Sequence, residues 1–343
     1  MKDRIAATRV NAIAPIRICD IGGWTDTWFA GHGAIFNIAV YPYVEVQVQT
    51  VRRVSGSDRV VINVENFDDS YAVDPDRVTY DKHPLIEAAI DVMELPDDIG
   101  LDINIYSDAP PGASVGTSAA VSVALIGGLD RLTDGRLTPH EVAALAHSIE
   151  TEKLGLQCGI QDQLCSAYGG ISFIQMHAFP HASVSPLHIP NHTWWELEQR
   201  LSVIYIGSPH SSSEVHGKVI ADLGENARDD ERLEEMRQLA HRAKDALYAG
   251  NFEVLGQIMN ANTAAQRRLH ADLVCAKFEE IIDIAQTYDA LGCKVNGAGG
   301  DGGSITLLSD GDMAKKRRLL SDLLGRDYQS LPLYLSRQGL RVW

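Results

Sequence analysis

A chain of 343 residues exceeds what one ordinary core organises and suits two domains. With 45% hydrophobic and 22% charged residues it has the composition of a globular protein, which excludes a disordered one. A formal charge of −16 excludes a broad nucleic-acid or anionic-membrane surface, yet a few local cations and helix N-termini still suffice to bind a phosphate.

The first hundred residues read mainly as strands. Val44, Val46 and Val48 alternate with Glu45, Gln47 and Gln49, the period of a half-buried strand. Arg59 to Val64 is a β-branched run, and Leu101, Ile103 and Ile105 alternate with Asp102, Asn104 and Tyr106. Ser118 to Leu129, rich in Ala, Val and Leu, is long enough for a buried helix. In a second helix, Thr138 caps the start, Pro139 suits the first position and Glu141 completes a capping box. Its apolar stripe is Val142, Leu145, Ala146 and Ile149, and Gly155 stops it. Strands return at Gly170 to Met176 and Leu201 to Ile206. Asn226 to Gly250, Phe252 to His270 and Cys275 to Leu291 read as helices. A Gly-rich loop, Gly297 to Gly303, leads into a short strand, Ser304 to Leu308. A helix at Asp312 to Leu324 and a strand near Leu340 to Trp343 close the chain. Strands and helices are mixed in both halves, an α+β or α/β class, with a weakly marked boundary in the Pro- and His-rich stretch Pro180 to Trp194.

Cys19, Cys158, Cys165, Cys275 and Cys293 are scattered and lack C-x-x-C spacing, which suits reduced thiols in a cytoplasmic protein better than disulfides or a zinc site. Met1 to Arg9 contains no apolar signal core, and the longest apolar stretch, Ala119 to Leu129, is well short of the ~20 residues that span a bilayer. The expectation is a cytoplasmic protein with no membrane or nucleic-acid partner.

Three segments carry chemistry. Pro110-Pro111-Gly112-Ala113-Ser114-Val115-Gly116-Thr117-Ser118-Ala119-Ala120 joins an expected strand to an expected helix. Its small residues let the backbone approach a ligand, the helix start presents unpaired N–H groups, and Thr117 and Ser118 add hydroxyls for a phosphate oxygen or Mg²⁺. The same features would serve a tight, hydroxyl-capped turn. No G-x-x-x-x-G-K-[ST] is present. Lys294 to Gly303 contains a formal G-x-G-x-x-G, but it leads into a strand where a dinucleotide fold needs a helix. Ala14 to Thr27 interleaves Arg17, Asp20 and Asp26 with Gly22, Gly23 and Trp24, a mixture that surface loops also show. Glu150, at the edge of the capped helix's stripe, and Asp162, just past its stop, could divide the work of metal anchor and base. Glu152 sits symmetrically on the opposite edge, so periodicity does not choose between the glutamates.

Taken in this order, Ala14 to Asp26, Pro110 to Ala120 and Lys294 to Gly303 resemble the three motifs of the GHMP kinases: galactokinase, homoserine kinase, mevalonate kinase, phosphomevalonate kinase and relatives. The resemblance implies a two-domain α+β fold, with an N-terminal nucleotide-binding domain like the second domain of ribosomal protein S5 (residues 1–185) and a ferredoxin-like C-terminal domain (residues 186–343). It implies ATP and Mg²⁺ as cofactors. Gly22-Gly23-Trp24-Thr25-Asp26 is most similar to the Gly-Gly-x-[ST]-Asp string of heptose-7-phosphate and L-fucose kinases. Galactokinases carry Gly-Glu-His-Thr-Asp-Tyr there, so Asp26 matches their sugar-binding Asp while Gly23 and Trp24 depart.

By the same resemblance Asp162, in Gly-Ile-Gln-Asp-Gln, is the catalytic Asp, and Arg17 supports the acceptor hydroxyl. Glu150 is the Mg²⁺ ligand at the sugar-kinase spacing, which selects it over Glu152, and Ser118 is its partner. Pro111, Gly112, Ala113, Ser114, Val115, Gly116, Thr117 and Ser118 bind nucleotide; Gly22, Gly23, Trp24, Asp26 and Gly299 bind substrate. Relatives often have Gly-Leu-Gly-Ser-Ser where Ser114 to Ser118 stand, and a Cβ at Ser114 restricts that turn. The implied reaction is phosphorylation of a sugar or sugar phosphate, foremost the anomeric hydroxyl of a heptose 7-phosphate. A fucose or other neutral-sugar 1-kinase, a mevalonate-type kinase and a non-catalytic sensor are the alternatives. Lys82, His83, His210 and Ser211 to Ser213 are the candidates to hold a phosphate on the acceptor's far end.

Overall fold

The computed structural model describes residues 8–53, 58–133, 135–207 and 212–343. Helices and strands alternate through both halves, an α+β arrangement around two sheets. At the centre of the first sheet β1 (Arg9–Ile21) and β2 (Gly33–Arg52) pair antiparallel. Val44, Val46 and Val48 face the core, while Glu45 is exposed and Gln47 and Gln49 are half-buried. The register jumps between Pro15, opposite Tyr43, and Ile16, opposite Val40. The extra residues bend β2, so that different strands use successive stretches of its length.

β3 (Val60–Val64) and β4 (Asp69–Val73) form a hairpin-like pair, and β5 (Ile99–Ser107) runs parallel to β3 and antiparallel to Val44–Arg52 of β2. β6 (Ile171–Ala178) takes the Gly33–Ile38 stretch of β2 and is edged by β7 (His181–Pro186). Four helices, α1 (Pro84–Val92), α2 (Thr117–Asp130), α3 (Pro139–Ser148) and α4 (Gln161–Tyr168), belong to this half. α2 is buried on nearly every side, as its Ala, Val and Leu content requires, and packs on β1, β2, α1, α3 and α4. That burial fixes the start of α2 against the end of the loop before it. The capping box of α3 forms as expected, with Thr138 accepting from Glu141 N and Glu141 accepting from Thr138 N.

The Pro- and His-rich stretch holds β7 and the start of α5 (Asn191–Arg200). β8 (Leu201–Tyr205), α6 (Ser212–Leu223), α7 (Glu231–Tyr248), α8 (Phe252–Leu269), α9 (Ala276–Thr287), β9 (Gly292–Val295), β10 (Ser304–Leu308), α10 (Met313–Leu324) and β11 (Gln329–Leu331) follow. The second sheet, in the order β11-β8-β10-β9, is antiparallel throughout. α9 and α10 cover it through Phe278, Ile281, Leu319 and Leu323. α7 and α8 instead bury Leu239, Ala243, Leu255 and Ile258 in the same core as Ile35, Phe36 and Phe173 of the first sheet. Two last strands, β12 (Tyr334–Leu335) and β13 (Arg341–Val342), return to the first sheet beside β2 and β1. Among the described residues no helix is long and apolar enough to cross a membrane, and the five cysteines are free thiols.

Candidate active site

The second half of β1 is buried on both faces, yet it carries Arg17 and Asp20. Interior charges are tolerated only when paired and hydrogen-bonded. Arg17 meets this with a bidentate bridge to Asp162, Nε to Oδ1 at 2.7 Å and Nη2 to Oδ2 at 3.0 Å. Its Nη1 donates to the Ser114 carbonyl. Asp162 sits in the first turn of α4, where the helix dipole favours a carboxylate. A quarter of its side chain remains exposed while Arg17 is almost fully buried.

Asp20 lies opposite the second sheet. It accepts from Lys294 Nζ at 3.2 Å and, with both oxygens, from Gly297 N at 3.1 Å. Burial alone would raise the Asp20 carboxyl; Lys294, Arg17 and the Gly297 N–H outweigh it and hold the carboxyl below its usual range. Lys294, fully buried on β9, is a residue that the sequence does not single out as functional, since its partner is 274 positions away. Cys19 N donates to Asn296 Oδ1 at 3.0 Å. Together these bonds clamp the glycine loop after β9 to the end of β1.

The turn after β1 brings Trp24 and Asp26 inward. Trp24 takes φ +78° and packs edge-on against His216, with ring centroids 4.7 Å apart. Asp26 is buried and accepts from Gln161 N at 3.0 Å. Burial pushes its carboxyl up to about 6, opposed by that N–H and helped by Asp162. Gly159 packs so closely that a Cβ there would overlap the Asp26 carboxylate.

α3 does not continue to Gly155 as a regular helix. After Ser148 it widens into a π turn, Ile149–Lys153, closed by Leu154 N on Ile149 O at 3.1 Å. The turn buries Glu150 and leaves Glu152 exposed. Glu150 accepts from the neutral Gln163 Nε2 at 2.7 Å. Burial pushes its carboxyl up to about 7, against the Gln163 bond and with a contribution from Asp162.

Arg17, Asp20, Trp24, Asp26, Ser118, Glu150 and Asp162 line one cavity of about 630 Å³. A second groove, about 350 Å³, is lined by the apolar Val64, Phe67, Ile105 and Ala109 together with Pro111, Gly112, Thr117 and Ser118. Ser118, Pro84 and Leu85 border both, so groove and cavity adjoin. Ala113, Ser114, Val115 and Gly116 instead carry the turn. Their carbonyls bind Ser304 Oγ, Arg17 Nη1, Arg17 N and Ala120 N respectively. Ser114 adopts φ +57°, the left-handed conformation that glycine takes without strain.

Three glycines assigned to the substrate do not line the cavity. A Cβ at Gly22 would overlap the Ala34 carbonyl, and one at Gly299 the Leu273 carbonyl. One at Gly23 would come within 2.8 Å of Asp20 Oδ2. Close approach of neighbouring protein atoms accounts for all three. Lys82 and His83 pair with Asp69 at 3.1 and 3.2 Å and border the apolar groove, away from the cavity. His210 and Ser211 lie outside the described residues, as do the side chains of Ser212 and Ser213. Lys153, which the sequence reading passed over, does line the cavity; it pairs with Asp91 at 2.9 Å.

Glu150 and Ser118 both line the cavity and offer oxygen donors of the kind Mg²⁺ takes, an ion that needs few protein ligands and completes its shell with water and phosphate. A buried carboxylate whose partner is a neutral amide fits the group, because a cation there offsets the cost of burial. Among the described residues no cluster of three His, Cys, Asp or Glu offers a denser metal site.

Comparison with known proteins bears on the family and the fold. The family model of the GHMP kinases N terminal domain matches residues 84–170, and that of the GHMP kinases C terminal matches residues 243–318. A mevalonate kinase of Pyrococcus horikoshii is 32% identical over 71% of this chain and 69% of its own length. The D-glycero-alpha-D-manno-heptose 7-phosphate kinase of Campylobacter jejuni is 26% identical, covering 71% of each chain. The bifunctional fucokinase/GDP-fucose pyrophosphorylase of Arabidopsis thaliana is 27% identical over 92% of this chain, which spans only 31% of that longer protein. The crystal structure of a D-glycero-D-manno-heptose 1-phosphate kinase from Bacteroides thetaiotaomicron superposes with a TM-score of 0.76, covering 97% of this chain and 98% of its own at 22% identity. The chain belongs to the GHMP kinase family, with that family's two-domain fold, and is a phosphotransferase with an alcohol acceptor.

Proposed function

We propose that the protein is an ATP- and Mg²⁺-dependent sugar kinase that phosphorylates the anomeric hydroxyl of a heptose 7-phosphate. The observation that carries this reading is the bidentate Arg17–Asp162 pair, facing the cavity that Asp26 and Glu150 share. The nucleotide base occupies the apolar groove, and its phosphates meet Pro111–Ser118 at the start of α2, where the first amides lack intrahelical partners. Asp162 accepts the proton of the acceptor hydroxyl, and Arg17 holds that carboxylate in one orientation while offering positive charge to the forming alkoxide. Asp26 accepts hydrogen bonds from sugar hydroxyls. Mg²⁺, held by Glu150 and Ser118, supplies charge neutralisation for the phosphates.

Lys153 gives the cavity a half-exposed cation for a phosphate at the acceptor's far end. The heptose 7-phosphate kinase and fucokinase relatives support a sugar acceptor. A division into residues 1–185 and 186–343, with β12 and β13 handed back to the first sheet, goes with this reading, and five free thiols support a reducing, cytoplasmic setting. The second reading is a mevalonate-type kinase, favoured by the 32% identity to the Pyrococcus horikoshii enzyme. ADP release with heptose 7-phosphates, L-fucose, D-mannose and mevalonate decides between them. The sugar-phosphate reading predicts the highest kcat/KM for a heptose 7-phosphate, and a preference for mevalonate overturns it.

A further inference from the structure

Buried polar atoms in native proteins are paired in the great majority of cases, so an unpaired one beside a ligand cavity calls for an account. Among the described residues, Gln163, whose Nε2 is engaged by Glu150, and the pair Trp24 and Gln161 line the reaction cavity and each carry such an atom. Trp24 is 5% exposed and its Nε1 has no hydrogen-bond partner; Gln161 is 6% exposed and its Oε1 has none. Trp24 Nε1 and Gln161 Oε1 are complementary, because an indole N–H only donates and a carboxamide oxygen only accepts. A hydroxylated ligand satisfies both, since each hydroxyl can donate and accept.

The backbone around Gln161 shows how its side chain comes to be there. Its N–H is committed to Asp26 Oδ2 at 3.0 Å, and the next residue, Asp162, is locked to Arg17. Gln161 is thus fixed between two residues that carry roles in the proposed reaction. Across from it, position 23 is a glycine. A Cβ there would stand 3.2 Å from Gln161 Nε2, so the missing side chain leaves room for the carboxamide. Gln161 is not among the residues drawn from the family resemblance.

We propose that Gln161 and Trp24 determine acceptor specificity, with Trp24 Nε1 donating to one hydroxyl of the alcohol being phosphorylated and Gln161 Oε1 accepting from another. The identity of that alcohol as a sugar rests on the reading above; the role of the two atoms does not. Sites built to bond a hydroxyl discriminate strongly against analogues that lack it, because their own buried groups are then left unpaired. Gln161→Met keeps the length and the backbone N–H bond to Asp26 while removing the acceptor atom, and Trp24→Phe removes the donor.

The test is steady-state kinetics of wild type, Gln161→Met and Trp24→Phe with D-glycero-D-manno-heptose 7-phosphate, its monodeoxy analogues, L-fucose and mevalonate, alongside thermal unfolding without ligand. Each variant is expected to lose roughly 10- to 100-fold in acceptor kcat/KM, the worth of one such bond, with KM for ATP unchanged. Gln161→Met is expected to unfold no earlier than wild type, since it removes an orphaned polar atom. With the one deoxy sugar that lacks the contacted hydroxyl, wild type and Gln161→Met should converge. Unchanged acceptor kinetics in both variants overturn the inference. So does a fall in melting temperature accompanied by equal losses for ATP and acceptor, which marks a structural role. If wild type turns over mevalonate and no sugar, the sugar reading falls, and the same acceptor-to-ATP comparison made with mevalonate decides the role of Gln161.

Discussion

Replacing Glu150 by glutamine separates the cost of this carboxylate to the fold from its use to the enzyme. The side chain is buried, its hydrogen bond comes from the neutral Gln163, and burial lifts its carboxyl from the ordinary 4.5 to about 7. At roughly 1.36 kcal/mol per pKa unit, that interval corresponds to a penalty of about 3 kcal/mol once the group is fully ionised, an upper bound because water and side chains relax around the charge. The sign follows from the raised value. Between pH 4.5 and about 7 the folded protein binds more protons than the unfolded one, so this contribution to stability is intact below pH 4.5 and is lost as pH rises through about 7. In EDTA at pH 8, Glu150→Gln should therefore be more stable than wild type in urea unfolding, by up to about 3 kcal/mol, with the gap closing towards pH 4.5. With Mg²⁺ and ATP the order should reverse: wild type gains thermal stability by binding, while the variant gains less and loses kcat. A variant less stable than wild type at pH 8 in EDTA, or a gap that does not change with pH, refutes the argument.

Asp162→Asn should lose about 10²–10⁴-fold in kcat by ADP release while nucleotide titration shows affinity within a few-fold of wild type, because the change removes the base and keeps the shape. Gly159→Ala should fold normally yet raise the acceptor KM by about tenfold or more with KM for ATP unmoved, since the new Cβ displaces the Asp26 carboxylate. Lys294→Met leaves Asp20 buried without its ion-pair partner and should cost about 3–5 kcal/mol in denaturant unfolding, part of which Asp20→Asn restores in the double variant. Glu152→Gln, on the exposed side of the π turn, should match wild type in kcat and in Mg²⁺ dependence.

What the sequence by itself determined is what depends on near neighbours in the chain. The alternation of Val44, Val46 and Val48, the capping box at Thr138 and Glu141, and the apolar run that became α2 are all period or spacing effects, and they appear in the structure at those positions. The loop Pro110–Ala120 was legible as a strand-to-helix turn for the same reason. Local period failed where the local geometry left the regular helix. Glu150 and Glu152 looked equivalent on a 3.6-residue repeat, and the π turn at Ile149–Lys153, which that repeat does not describe, buried one and exposed the other. The glycines were ambiguous for a different reason. A missing side chain looks the same in the sequence whether a ligand or a neighbouring carbonyl takes the space, and only packing showed Ala34 and Leu273 against Gly22 and Gly299. The pairs that build the cavity were decided by tertiary structure alone. Arg17 meets Asp162 across 145 positions and Asp20 meets Lys294 across 274, and β13 closes against β1 from the far end of the chain. Such partners leave no periodic trace, because a buried charge needs only some opposite charge brought within reach, and the fold chooses which.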